Sequence, residues 1–235
     1  MLCNDSARKD RTVLLTGFEP YAGETTNPSG EIARWLDGAE IAGHQIVGSV
    51  LPSVFGVCTV ALKNLIRDSE PDLVVCLGQA GGRAGITPER VAINVDDARI
   101  ADNACQQPID QPIVPHGPTA YWSKLPIKAI VVTLHQRGVP ASVSQTAGTF
   151  VCNHVFYALM HELAIHTRSA RPRTRKGGFI HVPFLPEQAE RQRALTGGRR
   201  PPSLPFETMV EAVEIAVRVS VSTCRDVRIA GGATH

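Results

Sequence analysis

The sequence predicts a single-domain α/β protein, a three-layer α/β/α sandwich around a mostly parallel twisted sheet. Three observations carry that prediction. Short apolar runs ended by Gly or Pro alternate with amphipathic stretches along the whole chain, as parallel strands joined by crossover helices require. No internal repeat is present. The chain has 235 residues, 43% hydrophobic and 20% charged, which suits one core of ordinary size.

Residues 1–11 precede the first element and are expected to be disordered, leaving 12–235 as the domain. TVLLTGF, 12–18, is an apolar run closed by the turn signal Glu19-Pro20 and reads as a buried strand. Asn27-Pro28-Ser29 then supplies an N-terminal cap and a first-turn proline for a helix reaching Leu36, with Ile32, Ala33 and Leu36 at helical spacing. An apolar run at 46–52, a helix from Val57 to Asp68 and the strand PDLVVCLG at 71–78 follow. VAINV, 91–95, reads as strand, 119–137 as a helix broken near Pro126, and ASVSQ, 141–145, as a short strand. Residues 148–166 form the strongest helix, with 152, 155, 156, 159, 160 and 163 tracing an apolar face. GGFIHVPFLP, 177–186, is a strand stopped by Pro, and 206–219 is a terminal amphipathic helix. The stretches 96–118 and 167–176 are irregular, the second with five basic residues in ten and no interleaved aromatics, the pattern of a solvated loop.

Composition excludes several classes of function. The 24 Lys and Arg against 22 Asp and Glu leave a formal charge of +2, too little to draw the whole protein onto nucleic acid or an anionic membrane. The N-terminus MLCNDSARKD carries charges where a signal peptide needs an apolar region, and no membrane-length apolar run occurs. A cytoplasmic protein with no membrane or nucleic-acid partner is expected. The six cysteines contain no CxxC pair, so most are read as reduced, buried thiols.

Four motifs bear on chemistry. His161 to His166 nearly matches the metalloprotease helix H-E-x-x-H, but the second His comes at i+5. At about 100° per residue, i+4 leaves two side chains roughly 40° apart and i+5 roughly 140°, too far to share a zinc ion. No metal or cofactor is expected. The turn Gly78-Gln79-Ala80-Gly81-Gly82-Arg83 follows a buried strand, where α/β proteins place ligands, yet its spacing fits neither G-x-G-x-x-G nor a P-loop. Such a turn is equally suited to a structural role, although its position favours Gln79 as a ligand residue. Cys152 falls in the first turn of its helix if Thr149 is the cap, and there the helix dipole and free N–H groups favour thiolate. His181 lies inside an apolar strand, an unusual place for a histidine without a task, and Glu89 between Pro88 and Arg90 could orient it. By default such a Cys is core packing and such a Glu a surface ion pair; taken together, Glu, Cys and His are what a cysteine hydrolase requires. His154 is the next candidate base.

Four long segments in order, TGFEPYAGETTNPS (16–29), GQAGGRAGITPERVAINVDDARIADN (78–103), QTAGTFVCNHVFYALMHEL (145–163) and GGFIHVPFLPEQ (177–188), resemble the pyroglutamyl peptidase I family of cysteine peptidases. The resemblance runs from about Thr12 to the terminal GGATH. It implies an α/β/α cytosolic homotetramer that removes N-terminal pyroglutamate from peptides without metal or cofactor. Carried onto this chain, the nucleophile falls on Cys152, the base on His181 and the third member on Glu89. The substrate pocket falls on Phe18, Tyr21, Gln79, Phe150 and Val151, and Arg99 falls near the oxyanion beside Cys152. A Cys152 thiolate facing a His181 imidazolium is the expected resting pair. Tyr21 and Ala22 stand where the family commonly has Phe-Gly, and 167–176 is longer and more basic than the family pattern. The rival reading is a non-catalytic, ligand-binding or nucleic-acid-associated domain using the Gly78–Arg83 turn and the basic 167–176 loop.

Overall fold

In the computed structural model, which describes residues 11–166 and 176–232, the first apolar run becomes an inner strand of the main sheet. Strand β1 (Thr12–Phe18) is buried from Val13 onward. It leads through Asn27 into helix α1 (Pro28–Leu36), whose start is fixed by Asn27 Oδ1 accepting from the Ser29 N–H at 3.1 Å. The Ser29 hydroxyl donates to the same Asn27 oxygen and accepts from the Phe18 N–H at 3.1 Å, so the cap also secures the end of β1.

The order continues with β2 (Glu40–Ile41), β3 (His44–Leu51), α2 (Val57–Ser69), β4 (Leu73–Gln79), β5 (Thr87–Pro88), β6 (Val91–Ile93), β7 (Ala120–Trp122), α3 (Ile127–Gln136), α4 (Val151–His166), β8 (Lys176–Val182), α5 (Pro186–Thr196) and α6 (Phe206–Ser222). The main sheet runs β2-β3-β1-β4-β8-β5. Its four inner strands are parallel, and short antiparallel strands close both edges. Alternating side chains build two cores. Val13, Leu15, Val75, Leu77, Ile180 and Val182 pack with α1, α3 and α6, whereas Leu14, Phe18, Val74, Cys76 and Phe179 pack with α2 and α4. These are the three layers the sequence predicts.

Three expectations change. The stretch 119–137 is not one broken helix: its first part is β7, paired antiparallel with β6 in a separate two-stranded ribbon, because Ala-Tyr-Trp packs well as strand and α3 begins only after Pro126. Residues 141–145 form only isolated bridges, Ile86 to Ala141 and Glu89 to Ser144. Helix α4 is buried at every residue from Asn153 to Met160, instead of along one face, because α2 and the β6–β7 ribbon also pack against it. Helix α5 has no counterpart in the sequence reading; PEQAERQRALT lacks an apolar period, and only the proline at its start signals a helix. The expected disorder of residues 1–11 falls, from 1 to 10, outside the described residues, as does the basic loop from 167 to 175. No helix among the described residues is long and apolar enough to cross a membrane.

Helix α1 lies almost on the sheet backbone. A Cβ at Gly17 would stand 2.0 Å from the Ser29 carbonyl oxygen, and one at Gly48 would stand 2.0 Å from the Ala33 carbonyl oxygen. These atoms are main chain and cannot rotate away, so Gly17→Ala is expected to destabilise the protein by about 3 kcal/mol, at the upper end of overpacking effects. Urea unfolding of the variant beside wild type checks this, and an unchanged midpoint would refute the close packing.

Candidate active site

The site is assembled by strand register. Gly78 of β4 pairs with His181 of β8, and on the other side of β8 His181 pairs with Thr87 of β5. Paired residues on adjacent strands point to the same face, with strands about 4.8 Å apart. A Cβ at Gly78 would meet Cys152 Sγ at 2.9 Å and the Phe179 ring at 2.7 Å. The missing side chain at Gly78 thus leaves the space in which the α4 cysteine reaches the sheet, one strand from His181. These residues lie at the carboxyl ends of parallel strands, where open α/β sheets form their crevices.

Cys152 is the second residue of α4, but Thr149 is not the cap. Its hydroxyl donates instead to the Asp97 carbonyl at 2.7 Å. The first helical hydrogen bond runs from the His154 N–H to the Phe150 carbonyl at 3.1 Å, and Phe150 has no side-chain acceptor to offer. The N–H groups of Val151, Cys152 and Asn153 therefore have no acceptor among the described residues, an open set of donors at the positive end of the helix. The helix start is held by Asn153, whose amide donates to the Ile93 and Val95 carbonyls and accepts from the Ile93 N–H.

His181 Nδ1 lies 2.7 Å from Glu89 Oε1, and an Arg83 guanidinium N–H donates to that same oxygen at 2.7 Å. Glu89 is fully buried. With Nδ1–H donating to the carboxylate, Nε2 is left as the basic nitrogen. Burial is the main cause that holds His181 below its usual 6.5, with Glu89 opposing and Arg83 reinforcing. Burial likewise pushes the Cys152 thiol up to about 12, Glu89 adding to it and Arg83 working against it. Part of Cys152 remains open to solvent, but its sulfur is packed over Gly78 and the buried surroundings govern the thiol. Burial of both groups thus favours a neutral thiol and a neutral imidazole and works against the expected thiolate and imidazolium, opposing the pull of the helix dipole.

His154, the other candidate base, is already committed. Its Nδ1 lies 2.7 Å from Asp96 Oδ2, and its Nε2 accepts from the Gly56 N–H at 3.2 Å. Two residues beyond Cys152, it projects from a different side of α4. His161 pairs with the Tyr121 hydroxyl at 2.8 Å, and no group of His, Cys, Asp and Glu among the described residues could hold a metal.

Around Cys152, the Phe18 ring is buried against Phe179 with centroids 6.5 Å apart. Phe150 stands between Tyr21, at 6.1 Å, and Phe55, at 5.3 Å. Val151 is buried beside it. The Tyr21 hydroxyl is raised to about 12 by burial, with Cys152 and Glu24 adding to the rise. Arg99 is exposed, and no hydrogen bond or ion pair among the described residues joins it to Cys152, His181 or Glu89, so its expected place near the oxyanion rests on the family resemblance alone.

Gln79 is buried and meets a residue that the sequence analysis did not single out. Gln188 of α5 accepts from the Leu185 N–H at 3.1 Å, which fixes that atom as its carbonyl oxygen. Its amide nitrogen then donates to Gln79 Oε1 at 3.1 Å and also reaches Thr26 O and Glu24 Oε2. The Gln79 oxygen is thereby occupied, and its NH2 group is left as the available donor. The proline that opens α5 and the Gln that follows were the only local signals for this contact.

Comparison with known proteins agrees with this architecture. The pyroglutamyl peptidase family profile matches residues 11–223. The pyrrolidone-carboxylate peptidase of Bacillus cytotoxicus is 51% identical over 225 residues, covering 96% of this chain and 100% of that one. The pyrrolidone-carboxylate peptidase of Bacillus mycoides is 49% identical over the same length and coverage. Among solved structures, pyroglutamyl peptidase I from Bacillus amyloliquefaciens superposes with a TM-score of 0.85 at 44% identity, over 94% of this chain and 100% of that one. A mutant pyrrolidone carboxyl peptidase from Pyrococcus furiosus gives 0.84 at 43% identity, over 89% and 98%.

The neutral pair has a measurable consequence. Nitrogen NMR at neutral pH is expected to show His181 protonated on Nδ1 and bare on Nε2, with a titration midpoint below the ordinary 6.5. Because the folded value is the lower one, His181 costs no stability above about 6.5 and destabilises the fold progressively as pH falls below it. A midpoint above 6.5 would restore the ion pair.

Proposed function

As this chain belongs to the pyroglutamyl peptidase family and is a hydrolase removing N-terminal pyroglutamate, we propose that Cys152 is its nucleophile, His181 its general base and acid, and Glu89 the carboxylate that orients the imidazole. The observation that carries the assignment is the pairing of Gly78, under the Cys152 sulfur, with His181, whose far nitrogen is held by Glu89.

From a neutral resting pair, His181 Nε2 takes the Cys152 proton as sulfur attacks the pyroglutamyl carbonyl carbon. The imidazolium so formed is stabilised by Glu89, and the unoccupied N–H groups at the start of α4 receive the oxyanion. Collapse of the tetrahedral intermediate breaks the C–N bond, and His181 gives its proton to the leaving amine. Water, losing a proton to Nε2, then attacks the thioester; that proton returns to sulfur and free pyroglutamate leaves. Arg99 is assigned to this oxyanion site on the family resemblance, not on a contact in the structure.

The flat neutral lactam needs apolar walls and few polar partners. Phe18, Phe150 and Val151 supply the walls, Tyr21 adds a hydroxyl at the rim, and the free NH2 of Gln79 is the donor for the ring carbonyl. We read residues 12–235 as one peptidase domain acting on pyroglutamyl peptides in the cytoplasm as a homotetramer. Nothing favours the rival nucleic-acid reading: the Gly78–Arg83 turn is occupied with Cys152 and Glu89, and the basic loop lies, from 167 to 175, outside the described residues.

A fluorogenic pyroglutamyl amide tests the assignment. Cys152→Ala is expected to abolish release, His181→Ala to cost several orders of magnitude, and Glu89→Gln less than either. A His181 variant with near-normal kcat would remove it from the reaction. On specificity, kcat/KM should favour pyroglutamyl over prolyl amides by about 10⁴-fold, since proline lacks the carbonyl and brings a ring ammonium with no carboxylate to meet it. Tyr21→Phe is expected to widen that ratio by removing an acceptor from the rim; comparable wild-type rates on the two substrates would defeat the pocket assignment.

A further inference from the structure

The glycine-rich turn after β4 is built to deliver Arg83. Gly82 adopts φ +86°, a conformation that side chains resist, and a Cβ at Gly81 would stand 2.2 Å from the Phe184 ring. The chain therefore passes beneath Phe184, reverses, and sends Arg83 back toward the sheet. There its guanidinium makes three hydrogen bonds to two other segments: Glu89 Oε1 at 2.7 Å, Thr87 Oγ1 at 2.5 Å and the Thr146 carbonyl at 3.0 Å. Thr146 belongs to the loop that leads into the Cys152 helix.

We propose that Arg83 is a positioning residue of the reaction, whose guanidinium holds Glu89 toward His181 and ties that carboxylate to the loop carrying the nucleophile helix. The proposal rests on the assignment of Cys152, His181 and Glu89 above. Glu89 Oε2 is buried with no hydrogen-bond partner among the described residues, so Glu89 acts wholly through Oε1, which Arg83 and His181 share. A buried carboxylate needs a counter-charge. Arg83, itself only partly exposed, supplies a permanent one, so His181 can rest neutral and still find an oriented carboxylate when the Cys152 proton arrives. Without the guanidinium, Glu89 would recruit a proton on His181 as its counter-ion. The charged and titratable groups that act on this imidazole are Glu89, beyond β5, and Arg83, in the β4 turn. Cys152 lies one strand away on α4, over Gly78, and Cys58 of α2 and Tyr21 interact electrostatically with that thiol.

The pH profile of kcat/KM separates this role from simple support of the fold. Arg83→Met and Arg83→Gln are expected to lower kcat about 10- to 100-fold, to leave KM within about threefold, and to move the acid limb up by about one pH unit. Arg83→Lys restores the charge but not the planar fork that reaches Thr146, so its acid limb should stay near wild type while kcat remains reduced. An unmoved acid limb with near-wild-type kcat in both neutral variants would overturn the proposal. Should those variants fail to fold, as judged by circular dichroism, the lysine variant decides: reduced kcat with an unmoved limb supports the role, and wild-type kcat overturns it. Parallel assays of Cys152→Ala and His181→Ala keep the two readings distinct. Activity retained there would overturn the triad and this proposal together, whereas inactive triad variants beside wild-type-like Arg83 variants would overturn this proposal alone.

Discussion

The structure depends on the register between β4 and β8. Because Gly78 pairs with His181, the single position in that row without a side chain lies next to the histidine, and the α4 cysteine occupies the vacancy. A shift of β8 by one residue would turn His181 to the opposite face, toward the α1, α3 and α6 core, and a shift of β4 by one residue would put Gln79 or Leu77 beneath the sulfur. The register is held by the continuous parallel ladder from Leu73 to Gln79 and by the apolar residues buried on both faces of each strand, so the chemistry inherits its precision from the core of the fold.

The second requirement is a helix start that is rigid yet chemically unfinished. Asn153 bonds the β6 backbone, Thr149 is spent on Asp97, and His154 is fixed between Asp96 and Gly56. Each of these contacts immobilises the first turn of α4 without filling its N–H donors. The irregular excursion from residue 94 to 118 has its purpose here. It acts as a bracket, and Asp96 and Asp97 belong to it.

Burial sets the electrostatics of the site. A dry environment favours neutral forms of both Cys152 and His181 and makes the charge on Glu89 costly. The fold meets that cost with one arginine and one imidazole N–H on a single oxygen, and it meets the polarity demand of Gln79 with the fixed amide of Gln188. In both cases a side chain remote from the reacting atoms dictates which atom of a nearer one faces outward.

The sequence by itself determined the alternation of strands and helices, hence the three layers, because burial patterns and turn residues are local signals. The end of β1 and the start of α1 follow from Pro20 and Asn27. Its motifs also singled out Cys152, His181 and Glu89. What it could not reveal depends on groups distant in the chain. The ribbon of β6 and β7 needs a partner some 30 residues away, and α5 is polar on all sides and gains its place from Gln79, Glu24 and Thr26. The protonation that burial favours at Cys152 and His181, the hydrogen bonds of Arg83 and the orientation of Gln79 were decided only by tertiary structure. Protonation and hydrogen-bond polarity are set by dielectric surroundings and neighbouring charges, and those exist only once residues 79, 83, 89, 152, 181 and 188 have been folded together.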